Sequence, residues 1–170
     1  MGWDYASYPR GTKSIDIFRQ LYKLPVVAHN TSRQALYAAV RDRVGRVTAV
    51  VMLIRRGKGG VGVKFLDEGS GPYYWEASTE VLDALTPTTS EQATKWRESC
   101  RTHAKLRALQ VGDEVVASRT FHVSKSMNMI LGSTKLRITS KTNTAFYMRT
   151  THGVELKIPF TDLLTYVRLP

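Results

Sequence analysis

Cysteine is nearly absent from this chain. Cys100 stands alone among 170 residues, so no intrachain disulfide can form and a thiolate zinc site would lack its other ligands. That usage suits a reducing cytosol. Long apolar runs are missing too. The longest, Val47 to Ile54, is interrupted by Thr48 and is far too short to span a bilayer. The opening Met1-Gly2-Trp3-Asp4-Tyr5-Ala6 has neither the basic nor the apolar region of a signal peptide, and position six lacks the Ser or Thr of a myristoylation signal. The expectation is a soluble cytoplasmic protein with no membrane partner. Catalytic signatures are absent as well: there is no Gly-x-Ser-x-Gly, no His-Glu-x-x-His and no dinucleotide fingerprint. Gly57-Lys58-Gly59-Gly60 has neither the spacing nor the Ser or Thr of a phosphate-binding loop. No cofactor and no metal is expected, and an enzyme is the less favoured class.

Acidic residues are scarce, 14 against 25 Lys and Arg, for a net charge of +11. A surplus of that size favours a polyanionic partner, with nucleic acid ahead of an anionic membrane. The apolar fraction of 42% is enough for a core, so wholesale disorder is excluded. The length admits one ordinary domain or two small ones.

Hydrophobic periodicity divides the chain near residue 108. Residues 1–12 read as an extended lead-in. Ser14 is placed to cap a short helix through Tyr22, with Ile15, Phe18, Leu21 and Tyr22 on one face. Strands are expected at Val26–Ala28, Gln34–Arg41, Arg46–Arg55 and Val61–Leu66. Turns this short imply antiparallel neighbours, with at least one helix packed on a face. A short helix is expected over Thr79–Leu85. Thr88 and Glu91 stand in capping-box spacing ahead of a helix to about Leu106 that carries Trp96, Cys100, His103 and Leu106 or Arg107 on one stripe. Beyond it come closely spaced strand candidates: one fed by Leu109–Val116, then Phe121–Val123, Lys135–Thr139, Ala145–Arg149, Val154–Ile158 and Leu163–Val167, with Ser124–Met129 as a loop. That pattern suits a small barrel or a curled sheet. The fold class is therefore α+β: an N-terminal antiparallel sheet with short helices over residues 1–108, then a small β-barrel-like module over 109–170.

Charge is segregated along the chain. Arg41 to Lys64 holds seven bases and one acid, Asp67 to Glu98 seven acids and two bases, and Val115 to Pro170 eight bases and two acids. The expected phosphate contacts are Arg41, Arg43, Arg46, Arg55, Arg56, Lys58 and Lys64, joined by Lys135, Arg137, Lys141 and Arg149. If the two basic regions share a side, they make one positive face. Glycines beside Arg55, Arg56 and Lys58 would let backbone approach phosphate, with bidentate guanidinium contacts. A solvated hairpin tip whose charges discourage edge pairing reads equally well.

Three further groups carry chemistry. Tyr73 and Trp75, alternate in Tyr73-Tyr74-Trp75, could stack bases if exposed, although burial is the commoner fate of such rings. Asp67 and Glu68 could act as acid and base or hold a hard cation. On a strand, however, they point to opposite faces, which favours a structural role: closing the Gly69–Gly71 turn or pairing with an Arg of the meander. Cys100 and His103 are neighbours on a helix, the geometry of a nucleophile pair or half a zinc site. With no second pair in the chain, a core-edge stripe is the better reading.

Met1-Gly2-Trp3, Tyr37-Ala38-Ala39-Val40, Thr48-Ala49-Val50-Val51-Met52-Leu53, Asp67-Glu68-Gly69-Ser70-Gly71-Pro72-Tyr73-Tyr74, Leu85-Thr86-Pro87-Thr88, Trp96-Arg97-Glu98-Ser99-Cys100 and Val111-Gly112-Asp113 occur in that order. Together they resemble an uncharacterised family of phage and bacterial mobile-element proteins. The resemblance covers scattered blocks of residues 1–115 and implies a phage or integrated-element source, hence a bacterial cytoplasm. It carries no activity and no functional residue. The leading expectation is a non-enzymatic accessory protein that binds DNA or RNA through its basic surface. The alternatives are an inhibitor using that surface on an acidic host protein, and an enzyme centred on Asp67 and Glu68 or on Cys100 and His103.

Overall fold

The apolar runs of the first half pair as an antiparallel meander. A computed structural model describes residues 3–9, 11–32, 35–57, 60–123 and 128–170. In chain order the first elements are β1 (Asp4–Ala6), α1 (Ser14–Leu21), β2 (Val26–Thr31), β3 (Ala35–Arg41), β4 (Val47–Gly57) and β5 (Gly60–Asp67). The five strands form one sheet in the order β1-β5-β4-β3-β2. β3 is buried from Ala35 through Val40. A strand apolar on both faces needs cover on both, and the sheet has it. On one face α1 contributes Ile17 and Phe18 to a cluster with Leu36, Val50, Met52 and Val63. On the other lie α2 (Thr79–Asp83), with Val81 and Leu82, and the first part of α3 (Glu91–Ala108), with Trp96 and Cys100, packed against Tyr37, Ala49, Val51 and Leu53.

The second half contains β6 (Glu114–Ala117), β7 (Phe121–His122), β8 (Met129–Ile130), β9 (Lys135–Lys141), β10 (Ala145–Thr150), β11 (Glu155–Pro159), α4 (Leu163–Tyr166) and β12 (Val167–Arg168). Five strands make a curled half-barrel sheet, in the order β11-β10-β9-β6-β12, and β7 pairs with β8. All pairings are antiparallel. The alternation of β9 and β10 sends Leu136, Ile138, Phe146 and Met148 to one core with Leu106, Phe160 and Leu163. The α+β class thus holds, with an antiparallel sheet and its helices in the first half and a curled half-barrel sheet in the second. The chain divides into two units, residues 1–101 and 102–170, and the division falls inside α3, whereas the sequence places a boundary after residue 108.

Local differences from the sequence reading have local causes. Ser14 is the first residue of α1 rather than its cap; Lys13 holds the cap position and makes no side-chain bond there. Ser90, not Thr88, caps α3: its Oγ accepts from the Ala93 N–H at 3.3 Å, while Thr88 Oγ1 accepts from Ser90 N–H. The segment expected as a strand over 163–167 is mostly helix. A 3-10 turn at Phe160–Asp162 leads directly into α4, and only Val167 and Arg168 pair as strand. Part of the lead-in is the edge strand β1, paired with β5. Gln34, Lys58 and most of the loop expected at 124–129 lie outside the described residues.

Candidate nucleic-acid interface

The acidic and aromatic turn is a structural clasp. β5 ends at Asp67, whose Oδ1 accepts from the Ser70 N–H at 2.7 Å and so caps a 3-10 turn over Glu68–Ser70. Gly71 leaves that turn at φ +61° with open space around its α-carbon, a left-handed conformation that glycine adopts without strain. Asp67 is exposed, and Glu68 turns inward to 5% exposure. Glu68 meets Arg97 of α3 in a fork: Nε to Oε2 and Nη2 to Oε1, each 2.7 Å. Arg97 Nη1 also donates to the Thr86 carbonyl at 2.8 Å. Thr86 is itself bonded twice to Val47, its N–H donating to the Val47 carbonyl and its Oγ1 accepting from the Val47 N–H. Trp96 Nε1 donates to the Tyr74 carbonyl, and the Asn30 side chain bonds the backbone at Glu76 and Ser78.

Glu68, Arg97, Thr86, Trp96 and Asn30 therefore join the turn, the segment before α2, the segment before α3 and β4. The ion-pair partner of Glu68 comes from α3, not from the basic meander. Asp67 and Glu68 do not converge on a common point, because one faces solvent as a cap and the other is consumed by Arg97. Tyr74 and Trp75 are half-buried against the core, while Tyr73 is 85% exposed.

Cys100 and His103 are both buried but engaged separately. Cys100 belongs to the core of the first unit, and burial pushes its thiol up to about 12. His103, in the second unit, has its Nε2 2.7 Å from the Phe160 carbonyl, a bond that requires Nε2 to carry the proton. A thiol held protonated and an imidazole committed to a carbonyl do not make an activated nucleophile. Among the described residues no group of three His, Cys, Asp or Glu could hold a metal ion, and no helix is long and apolar enough to cross a membrane.

The bases of the meander separate into two groups. Arg41, Arg43 and Arg46 surround the β3–β4 turn, and Arg55 and Arg56 sit at the opposite end of β4. Eight residues of β4 lie between Arg46 and Arg55, a separation of about 30 Å at the usual rise. Several of these cations already have partners. Arg46 pairs with Asp42 at 3.1 Å, Arg55 lies over the Trp3 ring at 4.9 Å, and Arg56 donates to the Thr12 carbonyl. Lys64 is half-buried on β5. Lys58 lies outside the described residues. The expected single cluster is thus two smaller ones at opposite ends of a strand.

The second sheet is different. Its outer face is solvent-exposed and presents Arg149 and Tyr147 of β10, Lys135 and Arg137 of β9, Lys157 and Glu155 of β11, Glu114 of β6 and Arg168 of β12. Register fixes the neighbours. Glu155, Arg149, Arg137 and Glu114 lie side by side in one row. Lys157 and Ser140 flank Tyr147 in a second, and Lys135 and Arg168 flank Val116 in a third. Five cations against two acids make this face positive. Arg149 pairs with Glu155, and Arg137 Nε donates to the Gly112 carbonyl at 3.2 Å.

Lys141 is turned away from this set. Its ammonium donates to the Arg107 and Leu109 carbonyls, both at 2.8 Å, and so satisfies the carbonyl end of α3. Tyr147, Lys157 and Arg168 belong to the face although segment charge alone does not single them out. The signal is the alternation: Tyr147 stands between the buried Phe146 and Met148, and Lys157 between the buried Leu156 and Ile158. A cavity of about 430 Å³ beside β11 is lined by His122, Glu155, Lys157 and Asp162 with Phe121 and Tyr166. Its charges are of mixed sign, so it offers a polyanion less than the sheet face does.

No family model matches this chain, and no curated protein and no solved structure is significantly similar to it.

Proposed function

We propose that this protein is a non-enzymatic accessory protein of a phage or mobile element that binds nucleic acid. The observation that carries the binding is the outer face of the second sheet, where five cations face two carboxylates across β11, β10, β9, β6 and β12. Such a surface attracts phosphate without reading sequence. The source rests on the ordered motifs of residues 1–115. The acidic and aromatic stretch supports a non-enzymatic reading, since its hydrogen bonds are internal. The arginines at the two ends of β4 are secondary contacts in this reading, because ion pairs and ring contacts already occupy part of their charge.

Fluorescence anisotropy with labelled DNA and RNA at two salt concentrations tests it. Binding should be present at low salt and fall as salt rises. The slope of log K against log salt should be about −2 to −4.5 for three to five phosphate contacts. Lys135→Ala and Arg137→Ala should each weaken binding across all sequences and flatten that slope by nearly one unit. No binding to DNA or RNA at low salt would remove the proposal.

A further inference from the structure

We propose that the outer face of the second sheet takes a single strand, with one base stacked on Tyr147; this rests on the nucleic-acid reading above. Tyr147 lies on β10, inside the sheet rather than at its edge, and is 40% exposed. Its row neighbours are Lys157 and Ser140, so its ring has no apolar companion in the row. Lys157 holds its ammonium 5.7 Å from the ring centroid, close enough to orient the ring and to meet a phosphate beside it. One row away Arg149 and Arg137 stand directly opposite each other. Glu155 and Glu114 flank the two in the same row, and Arg149 is paired with Glu155, so their mutual repulsion is partly offset, and an anion seated between them meets two guanidinium groups. Lys135 and Arg168 continue the positive charge in the third row, where no carboxylate stands.

The pattern is an aromatic ring between cations, spaced by about 7 Å along a strand and about 4.8 Å across strands. It matches a ligand that offers bases and phosphates together. A duplex keeps its base faces stacked inside and gives Tyr147 nothing to stack on. An unpaired strand offers both groups, and stacking on an aromatic ring accepts any base.

The test is anisotropy with the full chain and three labelled probes of equal length: oligo-dT, oligo-U and a blunt DNA duplex. Wild-type protein should bind the single strands more tightly than the duplex. Tyr147→Ala should weaken single-strand binding about 5- to 150-fold, the range expected for one stacked base, and leave duplex binding unchanged. Tyr147→Phe should keep the wild-type affinity, because stacking needs the ring and not the hydroxyl. Circular dichroism of each variant confirms that the sheet is intact. Equal binding of duplex and single strands, with no effect of Tyr147→Ala, overturns the single-strand assignment while leaving nucleic-acid binding in place. Failure to bind any of the three probes overturns both.

Discussion

Replacing Glu68 by Ala should lower the unfolding free energy of the first unit by about 3–5 kcal/mol, the usual cost of stranding one member of a buried ion pair. Arg97 is 8% exposed, and a guanidinium cannot shed its proton to escape burial. Two of its donors, Nε and Nη2, would lose the carboxylate that accepts from them, while Nη1 stays tied to the Thr86 carbonyl. The chain therefore has either to hydrate an interior cation or to pull α3 away from β4. The double change Glu68→Leu with Arg97→Met should recover most of the loss, since apolar packing often replaces a buried pair at no net cost. Urea unfolding followed by tryptophan fluorescence measures this selectively, because Trp3, Trp75 and Trp96 all belong to the first unit. A cost below about 1 kcal/mol for Glu68→Ala would mean that the pair behaves like an exposed one, and the clasp would not be what holds the turn.

That clasp shows what could be read from the residues and what could not. Alternation and turn spacing place β3, β4, β5, β9, β10 and β11 to within a few residues, because a period of two with short connections admits few other structures. Residues 163–167 read as a strand only from the regular spacing of the candidates before them: Leu163, Leu164, Tyr166 and Val167 have no polar period of their own, and an apolar stretch of that length suits either state. The 3-10 turn at Phe160–Asp162 decides between them. Glu68 and Arg97 are 29 residues apart, and nothing local says that they meet. Their pairing depends on where α3 lies over the first sheet, which is a tertiary fact. Linear charge misled in two ways. It merged Arg46 and Arg55, which a long strand holds apart, and it counted Lys141, which a helix end claims. It also passed over Tyr147, which the alternation of its own strand places among the cations.

Alkaline solution should destabilise the first unit steeply, through two groups that keep their protons in the fold. Burial raises the Cys100 thiol from 9.0 to about 12 and raises the Tyr37 phenol well above its ordinary 10.0. Below pH 9 both are protonated whether the chain is folded or not, and their contribution is fully present. Above that the unfolded chain releases the Cys100 proton and, past about 10, the Tyr37 proton as well, while the folded chain releases neither. The unfolded state then binds fewer protons than the native state, so stability falls as pH rises, by about 1.4 kcal/mol per pH unit for each group. The Cys100 contribution levels off near its folded value of about 12. Urea unfolding at a series of pH values from neutral to alkaline, again followed by tryptophan, gives the slope. Cys100→Ala should make it shallower from pH 9 upward and Tyr37→Phe from about pH 10, each at some cost in packing that does not depend on pH. If both variants keep the wild-type slope, the two groups ionise as readily inside as outside. Cys100 would then be an accessible thiolate, and its reactivity would have to be considered afresh. If the slopes flatten as expected, the same burial that makes the fold sensitive to alkali is what keeps its one thiol inert.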